Sequence, residues 1–239
     1  MDAPWGALIS EGGRITLYRV QGGQIAVQDF ATREEAERSG IEAGRLICLD
    51  AALRTALPAP IFSLANGSLG AVEQAGPAAR LHPQVRVLIA GALAEGPDWD
   101  GVVVVQDEGV THWVHVSARE IVSCQGALTG RLAAAMGAVG DAVSDAALSD
   151  TISRPERLAV HLNAAVLTGD AATVLGHLIG AELAAMRPYW LGQDVKIIGQ
   201  SAPYAAALAI QGAHADVVTR AKAWTAGIRA LGNSAGFSA

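Results

Sequence analysis

The feature that most limits how this chain can fold is an order of elements that occurs twice. Residues 14–20, Arg-Ile-Thr-Leu-Tyr-Arg-Val, and 24–28, Gln-Ile-Ala-Val-Gln, are β-rich runs flanking Gly22-Gly23. Two residues that accept positive φ between such runs predict a tight hairpin. Ala7-Leu8-Ile9, ahead of Gly12-Gly13, predicts one strand more, so the chain opens on three short antiparallel strands. The triplet returns at 101–105, 111–116 and 120–124, with Asp107-Glu108-Gly109 as a turn.

Each triplet leads into helices and further strands. Thr32 with Glu35 three residues later has the form of a capping box. From there to about Leu57 the composition predicts mainly helix, broken at Gly40 and Gly44 and stopped by Pro58 and Pro60. Residues 61–64 and 85–89 predict short strands. After the second triplet, helices are predicted from about Leu128, from Pro155 and over 171–187. A strand at 195–198, a helix over 202–211, a strand at 216–218 and a closing helix to about Leu231 follow. Strands separated by helices imply parallel pairing through right-handed crossovers. The expected fold is α/β, two lobes that are each a mixed sheet with flanking helices, and a cleft between them. The Gly96-Pro97 break sets the lobes at 1–96 and 97–239.

Composition narrows the function classes. Of 239 residues 51% are hydrophobic and 17% charged, with a net charge of −6, which excludes disorder. Two cysteines cannot staple a chain of this length, and Cys48 and Cys124 both sit in apolar runs, as buried thiols do. The acidic balance and the lack of a Lys/Arg block argue against a nucleic-acid partner. No run is long enough to span a membrane, and the first residues lack the form of a signal peptide, so a cytoplasmic chain is expected. The Ala-rich helices leave room for a homo-oligomer.

The helix from Ala171 carries the sharpest local signal. Asp170 is placed to cap it, and Val174, Leu175, Leu178, Ile179 and Met186 form one apolar stripe. Glu182 falls inside that stripe. A carboxylate there requires a partner: an Arg such as Arg131 or Arg157, backbone donors, a metal or cleft water. Further on, Ile198-Gly199-Gln200-Ser201-Ala202-Pro203 runs from a strand into a helix start, the place where α/β folds bind phosphate or else a plain tight turn. The histidines form no metal site, because His112 and His115 face opposite ways on a strand and His161 and His177 lie on different helices. Gly67-Ser68 reads as a plain turn, and Trp99 and Trp113 as packing residues.

Three stretches resemble the 2-dehydro-3-deoxygalactonokinases, sugar-acid kinases with actin/hexokinase-like (ribonuclease H-like) lobes. They are Leu175-Gly176-His177-Leu178-Ile179-Gly180-Ala181-Glu182-Leu183, residues 197–208, and Ala127-Leu128-Thr129-Gly130. The likeness runs from about Gly101 to Leu231. It implies ATP-dependent phosphorylation of the terminal hydroxyl of 2-dehydro-3-deoxy-D-galactonate with Mg²⁺. On that basis Gly12, Gly13, Gly109, Thr111, Gly199 and Ser201 are candidate nucleotide contacts, and Thr129, Gly130 and Glu182 candidate substrate or cleft residues. No residue qualifies as catalytic or as a metal ligand.

The chain departs from the family where phosphate chemistry is done. The family's first turn reads Asp-x-Gly-Thr, and here Ser10-Glu11-Gly12-Gly13 keeps only the glycines. Its second phosphate turn, Pro-Gly-Thr-His, is Asp107-Glu108-Gly109-Val110-Thr111-His112 with a changed length. The Glu of Thr-Gly-Glu is Arg131, and a Met-Arg-Gly-Glu-Glu segment is missing. Phosphoryl transfer depends on positioned charge, so impaired activity is expected. The alternative is a catalytically silent homologue that binds a ligand or a protein.

Overall fold

The paired glycines turn the chain where their spacing predicts. The computed structural model describes residues 3–138, 140–199 and 202–237. In it Gly12-Gly13 and Gly22-Gly23 have φ between 56° and 81°. They close two-residue turns joining β1 (Trp5–Glu11), β2 (Arg14–Gln21) and β3 (Gln24–Phe30). Such turns match the natural twist of the paired strands. The chain folds as two units, one of Met1–Trp99, Ala118–Val122 and Arg220–Ala239, the other of Asp100–Ser117 and Ser123–Thr219.

In the first unit α1 (Arg33–Glu37) starts as expected, with Thr32 Oγ1 accepting from the Glu35 amide at 3.2 Å. The helix then stops. Where the composition predicts more helix, the chain forms β4 (Leu46–Ala56), which pairs in parallel with β1 on one edge and with β7 (Ser68–Gln74) on the other. Long-range pairing, with β1 at 46–49 and with β7 at 48–50 and 54–56, overrides the local preference of an Ala- and Leu-rich stretch. The passage read as a connection holds β7, which pairs with β8 (Ala79–Leu81) and, through the Asn66-Gly67 turn, with β6 (Leu64–Ala65). The sheet order is β3-β2-β1-β4-β7-β6.

Residues 85–89, predicted as a strand, lie in α2 (Pro83–Ala92). A short apolar run has the same pattern in a core strand and in a helix buried on most sides. Pro83 in the first turn favours the helix, where its missing N–H costs nothing. Of the predicted strand at 61–64 only Leu64 pairs, in β6, and a buried side chain binds the chain ahead of it. Fully buried Arg86 donates to Ile61 O at 2.9 Å, to Pro60 O at 3.1 Å and to Ser63 Oγ at 2.9 Å. Burial pushes its guanidinium down to about 10. β5 (Ala59–Pro60) pairs just before this segment, opposite Glu120 and Ile121.

Alternation along β1 gives the unit two apolar faces. Trp5, Ala7 and Ile9 join Ile47, Leu49 and Leu69 against Val87 of α2 and against Ile228 and Leu231 of α9 (Arg220–Ser234). Leu8 and Leu17 pack against Ala36 and Ile41 on the other face. The sequence reading puts α9 within the lobe 97–239, and the structure groups it with the first unit. Glycines make that docking close: a Cβ on Gly91 would stand 1.7 Å from Ala223 O, and one on Gly227 2.0 Å from Val87 O.

The second unit is built on β9 (Gly101–Asp107), β10 (Val110–Ser117), β11 (Glu120–Ala127), β12 (Val195–Ile198) and β13 (Ala215–Val218), in the order β13-β12-β9-β10-β11. β12 runs parallel to both neighbours, as its crossover helices require. The helices are α3 (Thr129–Ala135), α4 (Asp145–Ser153), α5 (Leu158–Thr168), α6 (Ala171–Ala185), α7 (Arg187–Trp190) and α8 (Ala202–Ile210). Asp170 caps α6 as predicted, accepting from the Thr173 amide at 3.2 Å. Gly176 and Gly180, one turn apart, let α4 approach α6. A Cβ on either would stand 2.7 Å from a carbonyl oxygen of α4 or its cap.

The α2–α9 contact yields a stability prediction. Gly227→Ala forces a methyl into the Val87 carbonyl and should cost about 3 kcal/mol or more in urea unfolding. Gly96→Ala, with nothing within 4 Å of its new methyl, should change stability by under about 1 kcal/mol.

Candidate functional site in the second unit

Strand alternation sets up the site. Thr111 and Trp113 are two apart on β10 and so share one face. Glu182 of α6 and Tyr204 of α8 meet that face. Trp113 Nε1 donates to Glu182 Oε1 at 2.7 Å, and Tyr204 OH donates to Glu182 Oε2 at 2.7 Å. Thr129, at the start of α3, supplies a third hydrogen bond to the carboxylate. Tyr204 spends its one proton on Glu182, so Thr111 Oγ1, 2.8 Å away, donates to the phenol oxygen.

Glu182 is 5% exposed and is bound by neutral donors, not by Arg131 or Arg157. Arg131 is used elsewhere, donating from Nε to Glu108 O at 3.0 Å. Burial pushes the Glu182 carboxyl up, and the bonds from Thr129, Trp113 and Tyr204 pull against it. Burial and the neighbouring carboxylate hold the Tyr204 phenol well above its ordinary range, so it stays protonated.

Beside this network lies a cavity of about 300 Å³. The β9–β10 turn, α3, α6 and the start of α8 line it. The turn is fixed by a close contact: a Cβ on Gly130 would stand 2.9 Å from Gly109 O, and the Arg131 amide donates to that oxygen at 3.0 Å. Glu108 (φ 49°) and Gly109 (φ 74°) both take the left-handed conformation that the two-residue turn demands. Alanines 133, 134 and 138 with Leu175 and Ile179 form an apolar wall, and Asp107, Glu108 and Asp141 bring three carboxylates. The described lining contains no Lys or Arg.

The structure brings the candidate residues together only in part. Gly109, Thr129 and Gly130 line the cavity, and Thr111 and Glu182 belong to the hydrogen-bond network that shares Tyr204 with it. Gly199 ends β12 with φ 105° and donates to Val218 O at 3.4 Å. Gly12 and Gly13 form the β1–β2 turn in the first unit, with open space around both. Ser201 lies outside the described residues. Tyr204 went unread in the sequence because a neutral residue in a helix's first turn carries no charge signal.

Two other groupings were not visible in the sequence. Ser10, where the family has Asp, lines a cavity of about 350 Å³ in the first unit with Arg33, Cys48 and Asp50. His161 and His177, read as separate, both contact Thr151 Oγ1 through Nδ1, at 2.9 Å and 2.7 Å. Burial, then the neighbouring His161, pushes the His177 imidazole down. Among the described residues no three His, Cys, Asp or Glu side chains form a metal-holding group.

Residues 138–231 match the family model of 2-keto-3-deoxy-galactonokinase. A candidate 2-dehydro-3-deoxygalactonokinase from Sinorhizobium meliloti superposes with a TM-score of 0.75 at 17% identity, covering 96% of this chain and 98% of that one. Component A of (R)-2-hydroxyglutaryl-CoA dehydratase from Acidaminococcus fermentans superposes at 0.51 with 10% identity, covering 98% and 99%. No curated protein matches the sequence.

Two predictions follow from the network. Glu182→Ala strands the Trp113 N–H, which has no other acceptor among the described residues, and should cost about 1–3 kcal/mol in chemical denaturation. Glu182→Gln keeps an acceptor and removes the titration. Because the folded carboxyl titrates above its ordinary 4.5, the folded chain holds this proton longer than the unfolded chain does. That contribution is full below the unfolded value and is lost as pH rises through the folded one. The stability of Glu182→Gln relative to the parent should therefore climb with pH from 4.5 and then level; a flat difference would contradict the assignment. The chain has the expected α/β fold of two actin/hexokinase-like units, and over residues 138–231 it resembles the 2-keto-3-deoxy-galactonokinases.

Proposed function

We propose that this chain is a sugar-acid kinase of the 2-dehydro-3-deoxygalactonokinase type whose phosphoryl transfer is impaired, acting in the cytoplasm. The reading rests on the family match over 138–231, which includes α6 and α8 and so the Glu182–Tyr204 pair. The substrate would be a 2-keto-3-deoxy sugar acid and the donor ATP. No helix of the described chain is long and apolar enough to cross a membrane, which agrees with an enzyme of soluble metabolites.

The impairment rests on charge. The resemblance implies Mg²⁺ and a triphosphate, and the residues present do not fit them. The described residues offer no cluster of metal ligands, and the described lining of the cavity carries three carboxylates and no Lys or Arg. No step through the metal follows from this donor set. Removing one stabilising donor from such chemistry typically costs about 100- to 1,000-fold in rate. The same three carboxylates favour a second reading, a silent homologue that binds a ligand without turning it over.

Product assays with ATP, Mg²⁺ and 2-dehydro-3-deoxy-D-galactonate separate the two. Slow but measurable phosphorylation supports the impaired kinase, and an ordinary kinase rate of about 1–100 per second would overturn it. No turnover with ligand-dependent thermal stabilisation supports the silent reading. Glu108→Asn keeps a residue that tolerates φ 49° and removes one charge from the cavity. Calorimetry should show ATP binding strengthened several-fold in that variant.

A further inference from the structure

Three helices of the second unit meet at a pair of buried histidines that the proposed reaction does not use. His161 of α5 and His177 of α6 have ring centroids 4.7 Å apart, and Thr151 of α4 sits between them, its Oγ1 at 2.9 Å and 2.7 Å from their Nδ1 atoms. Both rings are buried, and Thr151 fully so. The far nitrogen of each ring is engaged as well. His161 Nε2 faces Asp150 Oδ2 at 3.3 Å, and His177 donates to the carbonyl of Ala147, whose amide is already bonded to Ser144 Oγ.

The hydrogens available fix the state of each atom. From Asp150 to Ala147 there are four contacts in series, and each needs one hydrogen. His177 spends its Nε2 hydrogen on Ala147, so its Nδ1 accepts from the Thr151 hydroxyl. Thr151 Oγ1 must then accept from His161 Nδ1–H. With both rings neutral no hydrogen is left for the last contact, and the His161 Nε2 lone pair faces a carboxylate. One added proton on that nitrogen completes the series. A second can go only to His177 Nδ1. There it turns the Thr151 hydroxyl hydrogen away from its acceptor and sets two imidazolium rings 4.7 Å apart.

The charges around the pair favour the same count. Asp150 is paired with Arg154, which holds its carboxyl below the usual range, and Arg157 lies near it on the segment ahead of α5. Asp145 and Glu156, on the same stretches, are exposed. Burial first and then His161 push the His177 ring down, against the Ala147 carbonyl and Asp150.

We propose that Asp150, His161, Thr151 and His177 form an acid-released latch, which holds α4, α5 and α6 together with one added proton and lets α5 go when a second arrives. The release reaches the cavity beside Glu182. Leu162 and Ala165 of α5 share a core cluster with Ala133 and Ala138, which line that cavity. Acid therefore loosens the cavity wall from behind. The latch does not depend on any catalytic activity of the chain.

Amide hydrogen exchange of the full chain, followed from about pH 8 down to about pH 5, tests this. In the closed latch His177 titrates below its ordinary 6.5, and once α5 is released it regains that value, so the open form binds one proton more. The closed form is therefore fully favoured above 6.5 and loses ground as pH falls below it. Protection of the α5 amides, corrected for the intrinsic exchange rate, should fall by up to about tenfold per pH unit below 6.5, until the closed form itself takes the proton. His177→Asn keeps an acceptor for Thr151 and cannot titrate, so it should remove that fall. Ring-nitrogen NMR of the parent gives a check that needs no variant. His161 should be the first of the two to carry protons on both nitrogens, while His177 still carries one at Nε2 alone. Double protonation of His177 first, or α5 protection in the parent that stays level below pH 6.5, would overturn the latch.

Discussion

The second unit depends on one buried carboxylate. Glu182 lies in an otherwise apolar stripe, and its two oxygens receive hydrogen bonds from β10, from α8 and from the start of α3. Each donor comes from a different element, so the carboxylate holds three pieces in register at once. Without them the charge would be too costly to bury; without the charge, the Trp113 indole N–H would lie buried with its acceptor gone. Thr111 then orients Tyr204 from behind. The start of α3 also meets the β9–β10 turn at the Gly109–Gly130 contact, and both line the cavity.

Close helix contacts complete that scaffold. Gly176 and Gly180 bring α4 onto α6 in the second unit, and Gly91 and Gly227 bring α9 onto α2 in the first. These positions specify geometry more than chemistry. Ser10 stands where the resemblance expects Asp, and the turn at 107–109 carries two carboxylates beside Gly109.

The sequence was informative where local chemistry decides structure. Paired glycines marked the hairpins at 12–13 and 22–23, and Asp170 marked the start of α6. It misled where tertiary contacts decide. Residues 46–56 look helical one by one and become a strand because β1 pairs with 46–49 and β7 with 48–50 and 54–56. Residues 85–89 look like a strand and become a helix whose Arg86 ties down the carbonyls of a neighbouring loop. Glu182 was legible as a residue in need of partners, because a charge in an apolar stripe is conspicuous. Its partners were not, because Trp113 and Tyr204 are neutral and lie 69 and 22 residues away along the chain. Nor could spacing show that His161 and His177 share one threonine hydroxyl.

The central claim is that a kinase-like framework here surrounds a cavity whose charge disfavours phosphate. Calorimetric titration of the full chain with adenosine, ADP and ATP in the presence of Mg²⁺ tests it most directly. Affinity should stay level or fall as phosphates are added, since each brings negative charge toward Asp107, Glu108 and Asp141. A rise of a hundredfold or more from adenosine to ATP, about 2.7 kcal/mol, would contradict the account.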